Sequence, residues 1–244
     1  MSQTMTKRQL RDQRRAARQA AEAAEKARAA RKRRLLQLGG VAGLAAVVLV
    51  AVIVLSGGSS TPSAQPGLFR GIPERNGVLG QADAPVTVTE YLDLQCPVCA
   101  NASRTVLPGV VDDYVRTGKV KLDARTLHFI GADSVRAARV AAGAEQQGKL
   151  WPFLEAFYAK QGVENTGYVT DEFLRDVAAE AGVDADAALK YADSAAADKP
   201  LTQANADAAR LKIDGTPTFT VQRGDGPVKV VSADQLATEL AGVS

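Results

Sequence analysis

The sequence predicts an α/β domain preceded by a single N-terminal transmembrane helix. Three observations carry that reading. Val86-Thr87-Val88-Thr89-Glu90-Tyr91-Leu92-Asp93-Leu94 alternates with a period of two and is rich in β-branched residues, which marks a strand. Further strand-like runs are separated from it by helix-forming stretches. Leu35 to Leu55 runs for 21 residues without a charge, and Gln37 is its one strongly polar side chain.

Taken in order, residues 1–34 hold 12 Lys/Arg against 3 Asp/Glu, so the net charge of +3 conceals a basic tail on an acidic remainder. The tail favours helix but has almost nothing to bury, and reads as a solvated cytoplasmic segment. It carries no interleaved aromatic residue for base stacking, which argues against nucleic acid as its partner. As a helix, residues 35–55 span roughly 31 Å, close to the hydrocarbon thickness of a bilayer. Arg31-Lys32-Arg33-Arg34 lies directly before the span and no comparable basic cluster follows. The positive-inside rule then puts the N-terminus in the cytoplasm and the chain beyond residue 56 outside. A cleaved signal peptide is the rival reading, but its apolar core is shorter, about 7–15 residues. Residues 56–67 are rich in Ser, Gly and Pro and read as a flexible linker.

The globular part is expected over residues 68–244. After the Val86–Leu94 strand, a helix is expected to start at Cys96-Pro97-Val98-Cys99. Val120 to Leu127 is a second strand. Helical stretches follow at Ser134–Gln147, with Val135, Ala138, Val140 and Ala141 as its apolar face, and at Leu150–Lys160. A further helix is capped by Thr170, and others cover Asp184–Ala195 and Leu201–Leu211. Thr218–Val221 and Val228–Val231 form a hairpin around Arg223-Gly224-Asp225-Gly226, and Ala233–Leu240 is a closing helix.

The chemistry rests on the chain's two cysteines, Cys96 and Cys99. A structural zinc site needs two more ligands, and the chain offers no other Cys and a single His, His128. A structural staple would close a very short loop, worth roughly 2 kcal/mol. A redox pair needs a strand before it, a helix after it and an environment that favours thiolate, and this reading is preferred. At a helix N-terminus Cys96 becomes the attacking or attacked sulfur, and Cys99, one turn on, resolves the mixed disulfide. Pro97 suits the first helical position, where a missing N–H has no consequence. Val98 supplies no cationic partner to the thiolate, so a less oxidising couple is expected than a histidine there would give. Glu90 shares the core-facing side of its strand with Val86, Val88 and Leu92. Its two readings are a proton acceptor for Cys99 and an edge carboxylate reaching solvent. His128 and the Trp151–Tyr158 aromatic residues read as structural. Pro217 opens a strand, and a cis Thr216–Pro217 bond would leave backbone groups of Thr216 to pair with an extended substrate.

The run from Val86 to Cys99 resembles the active-site strand and helix start of DsbA-like proteins of the thioredoxin superfamily. Gly215-Thr216-Pro217-Thr218-Phe219 resembles their cis-proline loop. The resemblance covers about Asn76 to Ser244 and implies a thioredoxin fold with a helical domain inserted at about residues 132–211. It implies thiol:disulfide oxidoreductase activity, with Cys96 as nucleophile, Cys99 as resolving thiol, Glu90 as the buried acid and Pro217 as the cis-proline. Pro97-Val98 departs from the Pro-His of well-known oxidases and leaves the direction of exchange open.

The expectation is therefore a single-pass, membrane-tethered, extracytoplasmic enzyme that forms disulfides in secreted or membrane proteins. It is expected to use no metal or organic cofactor, and to depend on an integral-membrane redox partner, either a quinone-linked oxidase or an electron donor. Two alternatives stand beside it: a reductase or isomerase of the same fold, and a copper(I) metallochaperone using the two cysteines.

Overall fold

The computed structural model describes residues 67–243. The expected basic tail, transmembrane helix and all but the last residue of the linker lie outside the described residues. Among the described residues no helix is long and apolar enough to cross a membrane.

The alternating segment forms β3 (Val86–Asp93), and it is central because both of its edges are paired. On one side it runs parallel to β4 (Val120–Leu127), with Val86 opposite Val120 and Asp93 opposite Leu127. On the other it is antiparallel to β5 (Thr218–Arg223), which pairs in turn with β6 (Lys229–Val231). A short hairpin of β1 (Glu74–Arg75) and β2 (Val78–Leu79) extends the β4 edge, giving the order β1-β2-β4-β3-β5-β6. The sequence reading did not find that hairpin, since two-residue strands carry no periodicity.

The parallel β3–β4 pair requires a crossover. It is made by α1 (Pro97–Thr105) and α2 (Leu107–Val110), which continues into a π-helical turn at Val111–Val115. One sheet face, with Val86, Val88, Leu92, Leu122, Phe219 and Val221, is buried in the main core. Leu236 and Leu240 of α8 (Ala233–Leu240) belong to the same core. On the opposite face Tyr91 and Leu127 pack against Ala204 and Ala208 of α7 (Asp198–Leu211).

Between β4 and α7 the chain folds into α3 (Ala132–Glu145), α4 (Leu150–Ala159), α5 (Asp171–Ala181) and α6 (Ala185–Ala192). Thr170 caps α5 as expected, its hydroxyl accepting from the Phe173 N–H at 3.2 Å. Trp151, Phe153 and Phe157 are fully buried, and Phe157 meets Phe173 edge-on with ring centroids 5.2 Å apart. The expected apolar face of α3 needs correction at Val135, which is exposed. The buried face combines Val140 with small residues, including Ala137, Ala138, Ala141 and Ala144. At Gly143 the helix comes close to α6, where a Cβ would lie 2.6 Å from the Ala188 carbonyl.

Candidate active site

The end of β3 delivers the chain directly into the cysteine pair. Cys96 is the N-cap of α1, in extended conformation (φ −73°, ψ 117°), and Pro97 takes the first helical position. The Cys96 Sγ accepts from the Cys99 N–H at 3.4 Å. Its thiol faces the Thr216 carbonyl, also at 3.4 Å. The Thr216–Pro217 peptide is cis. Cys96, Cys99, Thr216 and Pro217 are thus brought to one place from regions 120 residues apart.

The two sulfurs sit in different environments although one helical turn separates them. Cys96 is pulled down from an ordinary value of 9.0 to about 6. The hydrogen bond from the Cys99 thiol is the largest cause. Burial opposes it, while Thr216 and the N–H groups of Cys99 and Val98 add to the lowering. Cys99 is fully buried and its pKa is pushed far up, first by that burial, then by its bond to Cys96 and by the Glu90 charge. Cys96 is therefore thiolate at neutral pH and Cys99 is held as a thiol. Val98 lies between them with its side chain 58% exposed, a position open to an incoming chain.

Glu90 is 1% exposed, on the core face that the alternation assigns to it. The edge reading, with its head in water, is excluded. Both carboxylate oxygens are buried without a hydrogen-bond partner among the described residues. Burial, followed by the Cys96 charge, raises its pKa from 4.5 to about 8. A buried carboxyl that titrates near neutrality beside a thiol able to accept or release a proton has the properties of an acid–base group.

Several residues that the sequence reading passed over hold this arrangement. Asp93 is fully buried and accepts from Gln95 N–H (2.8 Å), Phe129 N–H (3.1 Å), Ile130 N–H (3.3 Å) and the Ser134 hydroxyl. It ties the end of β3 to the loop after β4 and to the start of α3. The buried Tyr158 hydroxyl donates to the Asp93 carbonyl at 3.2 Å. Gln95 and Gln161 are bonded around the cysteine turn. Gln95 has only an amide side chain next to the motif as a sequence signal, which polar loops also show, and Gln161 has none. His128, which follows β4, lies 3.4 Å from the Asn205 amide, in keeping with a structural role. Among the described residues no group of three or more His, Cys, Asp or Glu side chains is placed to hold a metal ion.

The thioredoxin family matches residues 74–226 of the chain. The chain belongs to the thioredoxin family. It is 32% identical over 147 residues to "Probable disulfide bond formation protein D" of Bacillus anthracis, which spans 59% of this chain and 68% of that protein. The crystal structure of oxidised BdbD from Bacillus subtilis superposes with a TM-score of 0.60 at 26% identity, covering 70% of this chain and 94% of that one. A thioredoxin-like oxidoreductase from Silicibacter pomeroyi superposes with a TM-score of 0.54 at 32% identity, covering 72% and 95%. This thioredoxin-family member is a DsbA-like thiol:disulfide oxidoreductase.

Proposed function

We propose that the chain forms disulfides in cysteine-containing proteins outside the cytoplasm, tethered to the membrane by residues 35–55. The observation that carries the oxidising direction is the Cys96 sulfur at the α1 N-cap, bonded to the Cys99 N–H. A sulfur whose thiolate is favoured is a good leaving group, and stabilising the reduced form makes the couple more oxidising. The relatives named for disulfide bond formation support the same direction. The uncharged span and the basic cluster before it support the location.

Starting from the Cys96–Cys99 disulfide, a substrate thiolate attacks the Cys96 sulfur. The intramolecular S–S bond breaks and Cys99 leaves as it is protonated, with Glu90 as the proposed proton source through a bridging water. A second substrate thiol, once deprotonated, attacks the substrate sulfur of the mixed disulfide and releases Cys96 as thiolate. The substrate loses two electrons and two protons, and the pair gains both electrons. Thr216 faces the attacked sulfur and, ahead of the cis Pro217, supplies backbone for an extended substrate segment to pair with. Reoxidation needs a two-electron acceptor, for which we propose an integral-membrane, quinone-linked oxidase. Val98 favours a second reading, a reductase or isomerase supplied by a membrane electron donor, because it gives the thiolate no cation.

Equilibration of the full-length chain with glutathione decides between the two. A potential well above the roughly −270 mV of thioredoxin is expected, and a value near it overturns the oxidase reading. Cys99→Ala is expected to accumulate mixed disulfides through Cys96 in cells. If none form, Cys96 is not the exchanging sulfur. A reporter fused after residue 244 that is active in the cytoplasm would overturn the proposed topology.

A further inference from the structure

We infer that Gln161 is a positioning residue for the catalytic turn, acting through the carbonyls of Leu94 and Cys96, within a clamp formed by residues 161–168. This rests on the reading of Cys96 as the exchanging sulfur. Gln161 follows α4, and its Nε2 donates to the Leu94 carbonyl at 2.7 Å and to the Cys96 carbonyl at 3.2 Å. A primary amide has two N–H donors, and here both go to the carbonyls on either side of the strand-to-helix junction. The Cys96 carbonyl also accepts the Ala100 N–H at 3.2 Å, among the first bonds of α1.

The same loop grips the residue before the nucleophile. Gln95 is 1% exposed. Its Nε2 donates to the Tyr168 hydroxyl at 2.9 Å, and its Oε1 accepts the Asn165 N–H at 3.0 Å. Asn165 Nδ2 donates to the Ile130 carbonyl at 2.9 Å, tying the loop to the segment that Asp93 holds. Two glycines allow this closeness. A Cβ on Gly131 would fall on the Asn165 side chain, and one on Gly162 would lie 2.9 Å from the Tyr168 ring.

The consequence for Cys96 is electrostatic as well as geometric. Carbonyl oxygens carry partial negative charge, and of these two one belongs to Cys96 itself and the other to Leu94, two residues before it. Donors bonded to them weaken their opposition and hold Cys96 in the capping conformation that aims Sγ at the Cys99 N–H. Bonds that only joined the helical segment to the sheet would stabilise oxidised and reduced protein equally. A positioning clamp favours the reduced, thiolate form.

The test uses the full-length chain with Gln161→Leu, which removes both donors, and Tyr168→Phe, which removes only the hydroxyl that Gln95 bonds. The readouts are the pH midpoint of Cys96 alkylation and the equilibrium with glutathione. Gln161→Leu is expected to raise the midpoint by about one unit and shift the equilibrium about tenfold toward the disulfide form. Tyr168→Phe is expected to move both the same way, by about threefold. Folded variants with wild-type midpoint and equilibrium would overturn the inference. If Gln161→Leu does not fold, Gln161→Asn, whose shorter amide falls short of the two carbonyls, is read in its place with the same expected direction. Failure of Cys99→Ala to trap partners would instead remove the role of Cys96 itself.

Discussion

Glu90 and Asp93 stand three residues apart on β3, both removed from solvent, and their surroundings are opposite. Asp93 receives three backbone N–H groups and a hydroxyl. Glu90 receives nothing among the described residues. A carboxylate with every lone pair engaged is a fastening, since its charge is matched by donors that would otherwise be orphaned. A carboxylate buried bare is unfavourable when ionised and is driven to keep its proton. One strand thus carries a fully hydrogen-bonded carboxyl on one face and a titrating acid on the other. The alternation of side chains keeps the two from sharing donors.

Breaking the fastening should have the largest effect. Asp93→Asn replaces an acceptor with an N–H₂ group that faces donors, and is expected to lower unfolding stability by about 3–5 kcal/mol in both oxidation states. Denaturant titration of the oxidised and reduced chain checks it, and a loss below 1 kcal/mol would mean that the four bonds are not structural.

Glu90→Gln sharpens the other half of the comparison, with the opposite sign. Because burial lifts Glu90 from 4.5 to about 8, the folded chain holds a proton that the unfolded chain has released between those values. Stability therefore falls as pH rises through that window. The Gln variant loses this slope. It should match wild type at pH 4 and exceed it by roughly 3 kcal/mol at pH 7. Formation of the mixed disulfide, the step in which Cys99 leaves and is protonated, should slow by about 10–100-fold at neutral pH, as read by stopped-flow exchange. A variant no more stable at pH 7, or one that forms the mixed disulfide at the wild-type rate, would remove the acid–base role.

The smallest change expected is at the exposed edge of the site. Val98→His places an imidazole beside Cys96 where solvent screens it, and should lower the alkylation midpoint of Cys96 by less than about one unit. A midpoint that rises would show that shape at residue 98 matters more than charge.

The contrast between the two carboxylates also marks how far the sequence could be read. Glu90 was legible because it interrupts an apolar register, and period-two alternation says which way it points. Asp93 was not, because the same alternation turns it away from that face and three of its four partners lie 36 to 41 residues downstream. The pair at Cys96 and Cys99 and the cap at Thr170 are local signals and were readable as such. The cis Thr216–Pro217 bond was readable through resemblance, since nothing in the dipeptide itself requires it. Gln161 lies 65 residues from Cys96, and no local pattern distinguishes its amide from any polar residue after a helix. The β1–β2 hairpin was too short to carry a period, and Val135 was misplaced because the alanine-rich α3 has too weak an apolar pattern to fix which side is buried.

The sulfur proposed to exchange is also the one that fastens the start of a helix. With Cys96 as thiolate, the Cys99 N–H has a charged sulfur to bond. Once that sulfur is joined to a partner it carries no charge, and the bond weakens. The first turn of α1 is therefore looser while Cys96 is held in a disulfide, with Cys99 or with a substrate, and tightens when Cys96 is released as thiolate. The enzyme's own backbone thus favours letting go of what it has oxidised.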